Sequence, residues 1–148
     1  MLFYLRIIIP TLLISFVPLG VADLDYTPNQ SKTAIEVIDE LTHKHYRRQP
    51  LDDALSSKLL YQLIDQLDPA KSYLLEEDIV EFKQWETKLD DMFKTGDLSS
   101  GFYIYNRYYH RAMDRLQKNI DLLKSDFQFD LSKDEYLSID IDSNQWPS

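Results

Sequence analysis

Serine beside lysine is a pairing that can begin acyl transfer, since the amine can draw the proton from the hydroxyl nucleophile. Ser57-Lys58 and Lys71-Ser72 offer it, but adjacent residues on a helix diverge by about 100°. No Ser-x-x-Lys spacing sets the two groups one turn apart. A nucleophile elbow of the Gly-x-Ser-x-Gly type is absent as well, the glycines being Gly20, Gly96 and Gly101. Nothing in the sequence assembles nucleophile, base and oxyanion donors, so no catalytic residue is assigned.

Metal chemistry fares no better. The histidines are His43, His45 and His110. His43 and His45 are two residues apart, so on a helix they face nearly opposite ways and cannot share an ion; His45 reads as a packed histidine. Asp140-x-Asp142-x-Asn144 copies the first ligand positions of a calcium loop, which also needs a glycine and a closing glutamate. Gln145 stands at the glycine position and the chain stops before the glutamate, so the motif reads as a solvated edge. Cysteine is absent, which removes disulfides, thiolate catalysis and cysteine-based zinc together. No metal and no cofactor is expected.

The elements that would position such groups read as helices. Thr33-x-x-Glu36 fits a capping box for a first helix with Ala34, Ile38, Leu41 and His45 on one face, ended by Gln49-Pro50. A second opens at Asp52-Asp53 and carries Leu55, Leu59, Leu63 and Leu67, widened by Leu60 and Ile64, until Asp68-Pro69 closes it. The short connection predicts an antiparallel hairpin of these two helices. A third helix is predicted over residues 76–94, with Ile79, Phe82, Leu89 and Phe93 inward and Gly96 as its left-handed cap. The fourth begins near Ser99 or Ser100 and runs to about Lys124, roughly 38 Å, with the stripe Phe102, Tyr105, Tyr109, Ala112, Leu116, Ile120 and Leu123. A helix of that length should protrude from its bundle or brace something beyond it. The fold class is thus all-α: a bundle of about four main helices over residues 31–126, with an extended tail over residues 127–148.

Tyr105 and Tyr109 fall on the stripe of the long helix. Tyr103 and Tyr108 fall off it, and an exposed tyrosine pair suits a protein contact, because the ring buries area while the hydroxyl stays paired. Beyond the helix, Phe127-Gln128-Phe129-Asp130-Leu131 and the run from Tyr136 alternate apolar and polar residues, as an extended chain does.

Residues 1–22 read as an export signal: Arg6 in a short basic region, an apolar run broken by Pro10 and Pro18, then Gly20-Val21-Ala22 with the small side chains that a signal peptidase accepts. Cleavage is expected between Ala22 and Asp23, leaving a polar, disordered lead over residues 23–30 and no stable membrane anchor. Its removal takes the net charge from -9 to -10. A chain that acidic repels phosphate backbones and anionic lipid, so nucleic acid is not expected as a partner. With 44% apolar and 13% aromatic residues it can fill a core and is not disordered as a whole.

The order of these segments carries a resemblance. Leu67-Asp68-Pro69, the charged segment ending Lys94-Thr95-Gly96-Asp97-Leu98, the run Phe102-Tyr103-Ile104-Tyr105-Asn106-Arg107-Tyr108, Phe127-Gln128-Phe129-Asp130 and Trp146-Pro147 together resemble the helical N-terminal domain of the tail-specific, or carboxyl-terminal processing, proteases. The likeness covers nearly all of the chain after the export signal. Members of that family are exported serine peptidases with a helical N-terminal domain, a PDZ domain and a catalytic domain bearing a serine–lysine dyad. The resemblance implies a periplasmic, non-catalytic first module, with PDZ and peptidase domains outside these residues and no dyad position to carry over. Its implied partners are proteins: those domains, substrate polypeptides or an adaptor. The alternative reading is a free-standing periplasmic helical protein-binding domain.

Overall fold

A computed structural model of the chain describes residues 22–44, 50–125, 128 and 146–148. Residues 1–21 of the expected export signal, His45, the first helix's expected end at Gln49, and Asp140, Asp142 and Asn144 lie outside them. Among the described residues every regular element is helical. Its elements are α1 (Pro28–Asp39), which runs into a π turn (Glu40–Lys44), then α2 (Asp53–Leu67), α3 (Glu76–Phe82), a 3₁₀ turn (Lys83–Trp85), α4 (Leu89–Lys94) and α5 (Ser99–Lys124).

The core sits where α2, α3, α4 and α5 meet, at Leu60, Ile64, Leu74, Ile79, Phe82, Leu89 and Ile104. Each fully buried side chain of this size stabilises the fold by about 1.5–3 kcal/mol relative to exposure. On α2 the predicted flank and centre change places. Ser56, Leu60 and Ile64 are buried, while Leu59, Leu63 and Leu67 pack from the side. Asp52 caps this helix, accepting from the Leu55 N–H at 3.0 Å.

Asp68 does more than close a turn. It is buried, and its carboxylate accepts the backbone N–H groups of Ser72, Tyr73 and Leu74 at 2.8, 2.8 and 2.9 Å. Three donors that the loop cannot pair internally are satisfied by one side chain, which holds Leu74 in the core. Lys71 accommodates the bend with φ 49°.

The first helix starts earlier than its Thr33 signal suggested. Thr27 is the N-cap, Pro28 the first helical residue, and Thr27 and Gln30 bond reciprocally. Among the described residues α1 packs on α4 rather than along α2 as the expected hairpin would. It lies against the end of α4, where the Ser31 hydroxyl donates to the Gly96 carbonyl at 2.6 Å. Gly96, at φ 74°, has Ser31 and Ile35 where a Cβ would stand, so the approach needs glycine. No residue of α1 is fully buried; it is a flank rather than a core helix.

The single helix predicted over residues 76–94 is broken. After α3 the chain tightens into the 3₁₀ turn and restarts at Leu89. The break is made by α2: Ser56 Oγ accepts the Asp90 N–H at 2.8 Å and donates to the Asp90 carboxylate at 2.8 Å. Ser57 donates to Glu86 at 3.0 Å. A neighbouring helix thus supplies the partner that an i−4 carbonyl would otherwise be.

Candidate interaction surface

Ser56, Asp90 and Lys94 form the arrangement among the described residues that most resembles a hydroxyl–amine relay. Lys94 Nζ donates to Asp90 and Asp91 at 2.8 Å each. Bonding first to Asp90, then to Asp91, raises the Lys94 pKa, so the amine stays charged and cannot accept a proton. Asp90 is held below the usual carboxylate value, chiefly by Lys94 and against its own burial, with the Ser56 hydroxyl assisting. Ser56 itself is fully buried. A nucleophile needs access and a basic partner; this cluster has neither and ties α2 to α4. Among the described residues no group of three or more acidic or histidine side chains could hold a metal ion. None of their helices is long and apolar enough to cross a membrane.

The proximal half of α5 is pinned to α3. Asp78, fully buried, accepts from Arg111 Nε at 2.9 Å, Arg111 Nη2 at 3.0 Å, Arg107 Nη1 at 3.3 Å and the Leu75 N–H at 3.0 Å. Arg107 also donates to Glu81 at 2.9 Å. Asp78 bonds the Arg111 guanidinium and raises its pKa against the pull of burial. This pairing turns α5 by about one residue, or 100°, from its apolar stripe. Ser100 and Ile104 are the residues buried, with Tyr108 packed on the core, while Phe102, Tyr105 and Tyr109 are only half-buried.

Neither predicted contact tyrosine stands free. Tyr103 is 38% exposed, but its ring lies 5.2 Å from that of Trp85 and 6.4 Å from that of Phe82, and its hydroxyl bonds Glu81 and Arg107. Tyr108 packs edge-on against Tyr73 at 5.7 Å, and burial raises its pKa. The reading that placed Tyr108 off the packed face is corrected by the rotation of α5. Tyr105 and Tyr109 stack on each other instead, 6.3 Å apart, on the far side.

That side carries a feature that polarity had hidden. The lead expected to be disordered over residues 23–30 is held as an extended strap up to the Thr27 cap. Asn106 accepts the Leu24 N–H at 3.0 Å and donates to the Leu24 carbonyl at 2.8 Å. The ring of His110 bonds the Asp23 carboxylate at 2.5 Å. Tyr26 lies 5.8 Å from the ring of Phe102 and bonds Asp97 at 3.3 Å. Between strap and helices runs an open apolar groove of about 400 Å³, lined by Leu24, Leu63, Phe93, Leu98, Phe102 and Tyr105. Leu24 leaves it partly unfilled, being 54% exposed. Asp23 and Ala22, the expected cleavage residues, line a second pocket with Tyr105 and Tyr109.

Distally α5 continues with Met113, Leu116, Leu122 and Leu123 exposed, the last at 77%. The comparisons with known proteins assign this architecture. The family described as tail specific protease N-terminal domain matches residues 37–148. The chain belongs to that family. It is 38% identical over 101 residues to the tail-specific protease of Haemophilus influenzae, a match spanning 68% of this chain and 14% of that relative. In this tail-specific protease domain the residues that carried the resemblance do structural work. Asp68 organises its loop, and Gly96 receives α1. The Pro147 carbonyl accepts the Glu76 N–H at 2.9 Å, while Trp146 packs on the core with Lys71 Nζ 5.6 Å above its ring.

Proposed function

We propose that the chain is a non-catalytic module of a periplasmic tail-specific protease, serving C-terminal processing of exported proteins as support for the peptidase body and as a contact for substrate or adaptor. One observation supports the reading most: α5 is clamped at its proximal half by Asp78, while its distal half holds Met113, Leu116 and Leu123 out to solvent. A helix so mounted offers apolar area to another protein at little further ordering cost. The matched relative extends far beyond the matched part, which supplies the kind of body such a helix would brace. The export segment and cleavage between Ala22 and Asp23 belong to the same proposal, as does the periplasmic setting.

The test is complex formation in trans. The chain is mixed with a tail-specific protease deprived of its own matching segment, and sedimentation reads the complex. A stable complex weakened by Leu116→Asp with Leu123→Asp supports the reading. Two independently sedimenting species refute it and favour the free-standing binding domain.

A further inference from the structure

Resting on the module reading above, we propose that the seat of the N-terminal strap is a docking slot for an extended polypeptide segment of the pattern acidic–apolar–any–aromatic, which the chain's own Asp23, Leu24, Asp25 and Tyr26 fill in cis. The recognition elements differ in kind and sit in one line along α5. Asn106 reads backbone, since its amide pairs with both the N–H and the carbonyl of a single residue, at 3.0 and 2.8 Å. That is what a neighbouring strand offers, and it requires an extended chain while ignoring the side chain. His110, one helical turn further on, pairs with the carboxylate of the residue before. Phe102, one turn earlier, meets the aromatic ring two residues after, and Asp97 takes its hydroxyl. Steps of four residues on α5, at His110, Asn106 and Phe102, thus meet Asp23, Leu24 and Tyr26 in turn, so the strap runs antiparallel to the helix.

The apolar position is the least satisfied. Leu24 borders a groove of about 400 Å³ yet remains 54% exposed. A longer or aromatic side chain at that position would reach further between Leu63, Phe93 and Phe102. The strap is therefore a moderate occupant that a better segment of unfolded polypeptide can displace, which is what a substrate contact in such a protease requires. The bond between the His110 ring and a carboxylate selects an acidic residue ahead of the apolar one; the backbone clamp excludes a helical or N-methylated segment.

The experiment uses the full chain and a fluorescent, end-blocked peptide Asp-Phe-Asp-Tyr, followed by anisotropy. The unaltered chain binds it weakly, in competition with the strap. The Leu24→Gly, Tyr26→Gly chain binds it about tenfold more tightly. Methylating the peptide nitrogen of the phenylalanine, which removes the donor to Asn106, abolishes binding. Equal affinity for both chains, or indifference to the methyl group, overturns the proposal. Should the strap-loosened chain lose its helical circular dichroism, the unaltered chain decides. There, saturating peptide shifts the Leu24 amide resonance to that of a released strap; an unmoved resonance overturns the slot. Failure of peptide binding with the complex in trans intact rejects this slot alone, whereas loss of that complex rejects the support reading.

Discussion

Asp78→Ala is the substitution whose cost follows most directly from the geometry. It removes a fully buried carboxylate that accepts from Arg107, Arg111 and the Leu75 N–H. Breaking a buried ion pair by removing one partner costs about 3–5 kcal/mol, because the remaining charge is left uncompensated. Here Arg107 and Arg111 keep 33% and 27% of their side chains exposed, so water relieves them and the lower end applies. Losing the acceptor at the start of α3 adds about 1 kcal/mol. A total of about 4 kcal/mol lowers the melting temperature of a domain of this size by roughly 16–32 °C. Thermal and urea melts of Asp78→Ala, Arg111→Ala and the double variant read the loss and the coupling. In the double variant the penalty of Asp78→Ala shrinks, since one orphaned guanidinium is gone. A loss below about 1 kcal/mol, the worth of a surface pair, would refute the view that this network mounts α5.

Other expectations follow from single contacts. Gly96→Ala places a Cβ against Ser31 at a positive φ; the conformation alone costs about 1–2 kcal/mol, so chemical denaturation should show a larger loss, while Gly101→Ala, which meets nothing, should stabilise α5 by up to about 1 kcal/mol. Ser100 Oγ is buried without a hydrogen-bond partner among the described residues, so Ser100→Ala should leave the melting temperature equal or higher. Asp90 has a folded pKa below its unfolded value because Lys94 bonds the charged form. Its contribution is complete above about pH 4 and disappears as pH falls through the lower folded value, so Asp90→Asn should flatten the acid limb of the stability profile.

Much of the fold was legible because its punctuation is local. Asp52 and Gly96 bound α2 and α4 by their own chemistry, and α5 runs over the span that its flanking residues predicted. What escaped depends on partners far away in sequence. The packed face of α5 contains two arginines whose match, Asp78, lies on another helix; a hydrophobic stripe cannot find a face that buries charge. The break before Leu89 is created by Ser56 on α2. The strap looked disordered since residues 23–26 are polar or isolated, and its order resides in Asn106, whose amide gives no periodic signal. The placement of Tyr103 and Tyr108 off the packed face meets the same rotation: Tyr108 packs on the core, while Tyr103 stays 38% exposed beside Trp85 and Arg107.

The claim that this domain supports or presents without cutting is tested most directly by intact-mass spectrometry of an unfolded polypeptide with an apolar C-terminus incubated with the purified chain. An unchanged mass is expected with the chain alone. Truncated products that disappear with Ser56→Ala or Lys94→Met would contradict that expectation, since they would make a working nucleophile of a buried hydroxyl bonded to Asp90, whose lysine partner stays charged.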